Sequence, residues 1–216
     1  TAASRVFPAV TSFFWGDIDL RWFPEACLSH PRHKGFYTVR HFMEGSTMPG
    51  SGCVDIRSWC VAVRDGRDPG GRTPPEVAAG LRANAEAVLD AMPGLHTVAR
   101  AAQDAELART LLDMLAMARL GQYYAEKIDG AAALAAFDLS GEPGAREIAV
   151  RHLEAARNAW AAYAAATTQQ YRQPVLYNRV GVVDIPALMA RVEADVNLAQ
   201  NWRAGTLAWP ARPANP

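Results

Sequence analysis

The chain has 216 residues, half of them hydrophobic and a fifth charged. That balance excludes a disordered tail, a collagen-like repeat and a disulfide-dense miniprotein. Twenty-two basic residues offset 22 acidic ones, so the surplus positive charge that grips nucleic-acid phosphates or an acidic membrane is missing, and neither is an expected partner.

No uninterrupted apolar run reaches the roughly 18 residues of a membrane span. The three cysteines, Cys27, Cys53 and Cys60, do not make a disulfide framework, although one pair could bridge. The sequence begins at Thr1 and shows no signal peptide, so a processed chain or a piece of a longer one is expected. Arg outnumbers Lys by 20 to 2, and 42 residues are Ala. That bias is associated with GC-rich bacterial genomes.

Composition changes near residue 72. Residues 1–72 hold all three Cys, six of seven Phe and only five of the 42 Ala. The shift predicts an irregular unit over 1–72, a helical bundle over 73–205 and a frayed tail over 206–216. The fold expected is mainly α: an antiparallel bundle preceded by an irregular α/β segment.

In chain order, residues 6–14 form a short apolar stretch. The alternation Asp17/Ile18/Asp19/Leu20 and the run 35–40 both have strand character. Residues 48–52 are a loop, and 55–63 are a short helix or strand. Thr73, Pro74 and Glu76 then make a capping box, which starts a helix over 74–92 that Pro93–Gly94 stops. A long helix is expected over 98–128, with Leu107, Leu111, Met114, Leu115, Ala118 and Gly121 on its buried stripe. Gly121 is placed to admit another helix, and Gly130 to interrupt this one. A third helix runs over 145–171 and a fourth from Asp184 to about Trp202.

The candidate chemistry gathers in 1–72. Asp17 and Asp19 stand between Trp15 and Trp22, and Glu25 follows three residues after Trp22. Carboxylates accept hydrogen bonds from sugar hydroxyls or work as acid and base, and an indole stacks on a pyranose ring. In a strand, Asp17 and Asp19 share one face, about 7 Å apart. The plainer reading packs both tryptophans in a core. In a strand over 35–40, Tyr37, Val39 and His41 share one side, and Arg40 is placed to clamp a carboxylate or to make an internal ion pair. Cys27, His30 and His33 have ligand chemistry, but they lack the second close pair of a structural zinc site. No phosphate loop or nucleophile elbow is present around Ser51. Tyr123, Tyr124, Glu126, Lys127, His152, Glu154, Trp160, Tyr163 and Tyr171 read as packing and surface polarity, because no Glu-x-x-His pair recurs on two helices.

The run Gly16-Asp17-Ile18-Asp19-Leu20-Arg21-Trp22-Phe23-Pro24-Glu25, then Gly35-Phe36-Tyr37, then an alanine-rich helical tail, resembles the C-terminal part of large bacterial glycoside hydrolases of the α-glucuronidase and β-N-acetylhexosaminidase type. The resemblance implies an upstream α/β domain and a (β/α) barrel whose last strand and loops are residues 1–72. It places the catalytic candidates Asp17, Asp19 and Glu25 near the sugar, at the C-terminal ends of the barrel strands. Trp15 and Trp22 are then stacking platforms, with Tyr37, Arg40 and His41 also binding substrate. The main carboxylate pair would lie upstream. Carbohydrate is the implied partner, no cofactor or metal is implied, and a secreted or periplasmic location follows. The alternatives are a non-enzymatic helical interaction module, with partner faces around Glu86 and Arg157, and a metal-binding regulatory domain on Cys27, His30 and His33.

Overall fold

The computed structural model describes residues 2–15, 22–30, 34–177 and 180–211. The fold is mainly α, with one small two-stranded sheet among the described residues. Three short helices come first: α1 (Val6–Phe13), α2 (Val39–Glu44) and α3 (Ile56–Arg64). Three long ones follow: α4 (Pro74–Ala102), α5 (Ala105–Ser140) and α6 (Pro143–Thr168). The strands β1 (Val175–Tyr177) and β2 (Gly181–Val183) pair antiparallel, with Leu176 opposite Val182. Helix α7 (Met189–Gln200) comes last.

The capping box opens α4: Glu76 accepts from the Thr73 N–H at 2.8 Å. Pro93 does not stop this helix, which continues to Ala102. A mid-helix proline costs about 3 kcal/mol, yet Pro93 sits on the exposed side. Met92 and Ala99, on the buried side, pack in a cluster with Leu111 and Ala118 of α5, and that burial outweighs the local penalty. The break falls instead at Gln103, in a left-handed conformation at φ +53°, and Asp104, which caps α5 through the Leu107 N–H at 2.8 Å. Residues 98–102, expected in the second helix, therefore belong to α4.

Gly130 does not interrupt α5 either. It is a point of close approach, since a Cβ there would come within 2.9 Å of Leu153 Cγ on α6. Gly121 plays the same part toward α1, where a Cβ would meet Val6 Cγ2 at 3.1 Å. Asp184 caps a turn through the Ala187 N–H at 2.9 Å, and α7 begins five residues later than the sequence predicts.

The strand expected over 35–40 is absent. Phe36 makes one isolated bridge with Leu28, and Tyr37 N–H bonds the Cys27 carbonyl. Thr38 then starts a helix: its N–H donates to His41 Nδ1 at 2.9 Å, and its hydroxyl accepts from the His41 N–H. The reciprocal Thr38/His41 cap satisfies helix-end donors, and this local chemistry overrides the strand alternation. Residues 55–63 resolve as helix, capped by Asp55 on the Ser58 N–H at 2.8 Å.

The main hydrophobic cluster is continuous across residue 72. It joins Val6, Phe14, Tyr37, Phe42 and Ile56 to Tyr123, Tyr124, Ile128, Leu153 and Trp160. Residues 202–210, which include the first part of the 206–216 tail expected to fray, are tied down by Asp138. Its carboxylate accepts from the indole N–H groups of Trp202 (2.6 Å) and Trp209 (2.7 Å) and from the backbone N–H groups of Thr206 and Leu207. Arg64 also donates to the Pro210 carbonyl at 2.8 Å.

Candidate ligand-binding cleft

Two polar assemblies compete for attention, and their hydrogen-bond capacity separates them. The first is buried. Lys127 and Asp195 are 0% and 1% exposed and form an ion pair at 2.6 Å. Lys127 Nζ also donates to the Tyr37 carbonyl at 2.7 Å and to the Tyr123 hydroxyl at 3.0 Å, and it lies 4.6 Å from the Phe36 ring centroid. Asp195 Oδ1 accepts the Val39 N–H at 2.8 Å. All three ammonium protons are committed, so nothing remains for a ligand. The pair is a structural tie between α5, α7 and the start of α2.

The second assembly is open. A cleft of about 250 Å³ lies between α5, the end of α6 and the sheet, and Phe7, Glu25, Asp113, Tyr163, Tyr171 and Tyr177 help line it. Glu25 rides on a short 3-10 turn, Pro24–Ala26, followed by Cys27 in a left-handed conformation at φ +52°. Two tyrosines from different helices hold that turn. Tyr124 of α5 donates its hydroxyl to the Pro24 carbonyl, and Tyr163 of α6 donates to the Glu25 carbonyl at 2.8 Å. The backbone is thus fixed, while the carboxyl keeps an open valence: Glu25 Oε2 is buried and has no hydrogen-bond partner. Burial pushes the Glu25 carboxyl above its ordinary pKa, opposed in part by its own backbone N–H. Across the cleft, Asp113 Oδ1 accepts from the Tyr171 hydroxyl at 2.8 Å and from Gln170 Nε2 at 2.7 Å. The Tyr177 ring stands on Phe23, centroids 4.2 Å apart.

This arrangement offers acceptor oxygens and aromatic faces, the furniture of a pocket that orients a small polar ring. The volume falls just below the range of about 300–1,000 Å³ typical of drug-sized ligands, so it suits a single ring. No group of three or more metal-ligating side chains is assembled among the described residues.

Of the candidate catalytic and substrate-binding residues named from the sequence, only Glu25 lines the cleft among the described residues. Asp17 and Asp19 lie outside the described residues, as does His33. Trp15 donates its backbone N–H to the Ser46 carbonyl. Trp22 packs edge-on against Phe14 and Tyr37, at 5.2 and 4.9 Å between centroids. Tyr37 is fully buried. Arg40 pairs with Glu44 one turn on, at 3.0 Å. His41 caps α2, and burial, then Lys34 and Lys127, lower its pKa. Cys27 is buried, with its Sγ 3.4 Å from the Tyr37 carbonyl, and all three cysteines are free. Asp113 and Tyr177 carried no sequence signal. Tyr163 and Tyr171 read as packing; Tyr163 lies on α6 and Tyr171 just beyond its end, so helical spacing does not reveal that they open on the same cleft.

A second half-buried network links the long helices. Arg82 of α4 pairs with Glu126 and Asp129 of α5, each at 2.8 Å, and His152 of α6 meets Glu126 at 2.7 Å. Glu126 holds the His152 pKa above its ordinary value.

No family description, curated protein or solved structure matches this chain.

Proposed function

We propose that the chain binds carbohydrate at the Glu25 cleft and serves as the sugar-binding, helical part of a carbohydrate-active enzyme. The observation that carries this reading is the unpartnered Glu25 carboxyl oxygen on a rigid turn inside a tyrosine-lined cleft. Sugar hydroxyls are donors that such an oxygen lacks, and a pyranose presents a C–H face to an aromatic ring such as Tyr177. A carboxyl whose burial favours the protonated form also has the character of a general acid, consistent with a place beside a glycosidic oxygen in a larger enzyme.

Saturation-transfer NMR with glucose, N-acetylglucosamine and glucuronate at about 10 mM tests this, a concentration that registers even millimolar affinities. Ring-proton signals are expected with the parent protein and not with Glu25→Gln, whose circular dichroism should match the parent's. Absence of transfer from the parent protein to any of the three sugars removes the carbohydrate reading.

The interaction-module reading draws on one observation. Leu176 and Val182, opposite each other on the sheet, are 75% and 70% exposed, an apolar pair turned away from the body of the protein. A concentration-dependent increase in mass by light scattering, abolished by Leu176→Ser, would favour it.

A further inference from the structure

We infer that the sugar taken by this cleft carries a free ammonium group, so that an amino sugar is preferred over a neutral or acidic one. This rests on the carbohydrate reading of the same site and adds the charge of the ligand to it.

The argument is a count of donors, acceptors and charges. The ionisable groups facing the cleft are Glu25 on its turn, Asp113 on α5, Tyr163 on α6, Tyr171 just beyond it and Tyr177 on β1. No described residue lining it is Lys, Arg or His. Two donors converge on Asp113 Oδ1, from Tyr171 and Gln170, and none of the described hydrogen bonds reaches Oδ2. Glu25 Oε2 is buried without a partner. The open valences of Glu25 and Asp113 are therefore carboxyl oxygens on facing sides of the cleft. An ammonium brings three donors and one positive charge, and tyrosine faces attract a cation further. A sugar carboxylate would place a third acid beside Glu25 and Asp113, where like charges repel. A neutral hydroxyl supplies donors without the positive charge that favours an ionised Glu25.

A consequence in protons follows. Burial favours the neutral form of Glu25, and an adjacent ammonium favours the ionised form. Binding then expels the Glu25 proton to solvent, where buffer accepts it. The phenols of Tyr163 and Tyr177 are pushed upward, chiefly by burial, and stay neutral throughout. Affinity for the ammonium sugar therefore rises with pH while Glu25 is still titrating.

Isothermal titration calorimetry of the full chain with glucosamine, glucose and glucuronate tests this. Glucosamine is expected to bind about tenfold more tightly than glucose, a difference of about 1.4 kcal/mol. Glucuronate is expected to bind most weakly. At about pH 5, between the ordinary carboxylate and amine ranges, titrations in buffers of different ionisation heat should show proton release with glucosamine and none with glucose. Glu25→Gln should lose both the preference and the proton release, and Asp113→Asn should reduce the preference should the first variant fold poorly. Equal affinity for glucose and glucosamine, or a preference for glucuronate, overturns the inference while the carbohydrate reading stands. No heat from any of the three sugars overturns both.

Discussion

Replacing Lys127 by Met strands a carboxylate inside the bundle, and the structure sets the scale of the loss. Asp195 is 1% exposed, and after the change its only remaining hydrogen bond in the described network is from the Val39 N–H. Breaking one side of such a pair costs about 3–5 kcal/mol. At about 2–4 °C per kcal/mol for a chain of this size, Tm should fall by roughly 6–20 °C. Asp195→Asn strands the ammonium instead and should cost a comparable amount. The double variant Lys127→Met/Asp195→Asn buries no charge, keeps an acceptor for Val39, and leaves the Tyr37 carbonyl still contacted by Cys27 Sγ. Its loss should be no greater than that of either single variant, giving a coupling of about 2 kcal/mol or more. Urea denaturation followed by circular dichroism measures all four proteins. Single-variant losses within about 1 kcal/mol of the parent, or a double-variant loss equal to their sum, would refute the account of the pair as a mutually dependent buried unit.

Two further outcomes follow from the helix contacts. Glu126 raises the His152 pKa in the folded state, so the stability this adds is fully present below the unfolded value near pH 6.5 and is lost as pH rises through the folded value. The Tm gap between the parent and His152→Gln should be widest below about pH 6.5 and should close as pH rises through the folded value; a gap independent of pH would remove the linkage. Gly130→Ala should cost about 1 kcal/mol net, because the Cβ overlap with Leu153 exceeds the gain in helix propensity. Gly80→Ala, in open space on α4, should add roughly 0.5–1 kcal/mol, and chemical denaturation that ranks these two variants in the opposite order would contradict the close approach of α5 and α6.

Features set by neighbouring residues were legible in the sequence. Thr73 and Glu76 announce the start of α4, because capping is satisfied within a few residues, whereas Asp184 caps a turn ahead of α7 and not the helix itself. The errors came where distant packing decided the outcome. Pro93 looks like a stop, and it is overruled by apolar residues that meet α5 only in the folded chain. Gly130 looks like a break, and its meaning lies with Leu153, on another helix. The strand alternation around Tyr37 was real, yet Thr38 and His41 offered a cap that the alternation did not weigh.

The cleft was legible only at Glu25. Asp113 and Tyr177 fall in no pattern, since a pocket is a property of surfaces from separate elements. One signal was available for the buried pair. Lys127 is one of two lysines in the chain, and it falls on the stripe Leu120, Tyr123, Tyr124, Ile128 at the spacing of a buried face. A lone ammonium on such a stripe requires an acid elsewhere in the sequence to meet it.

Asp138 gathers Trp202 and Trp209 onto one carboxylate at the C-terminal end of α5. That gives the protein a built-in optical reporter. Two of its six indoles sense a charged oxygen only while the last turns of chain are seated. Their emission follows seating of the chain end separately from melting of the bundle, where Trp160 lies buried. A fusion joined beyond residue 211 leaves that reporter intact, whereas a truncation before Trp209 halves it and leaves Asp138 with three of its four donors.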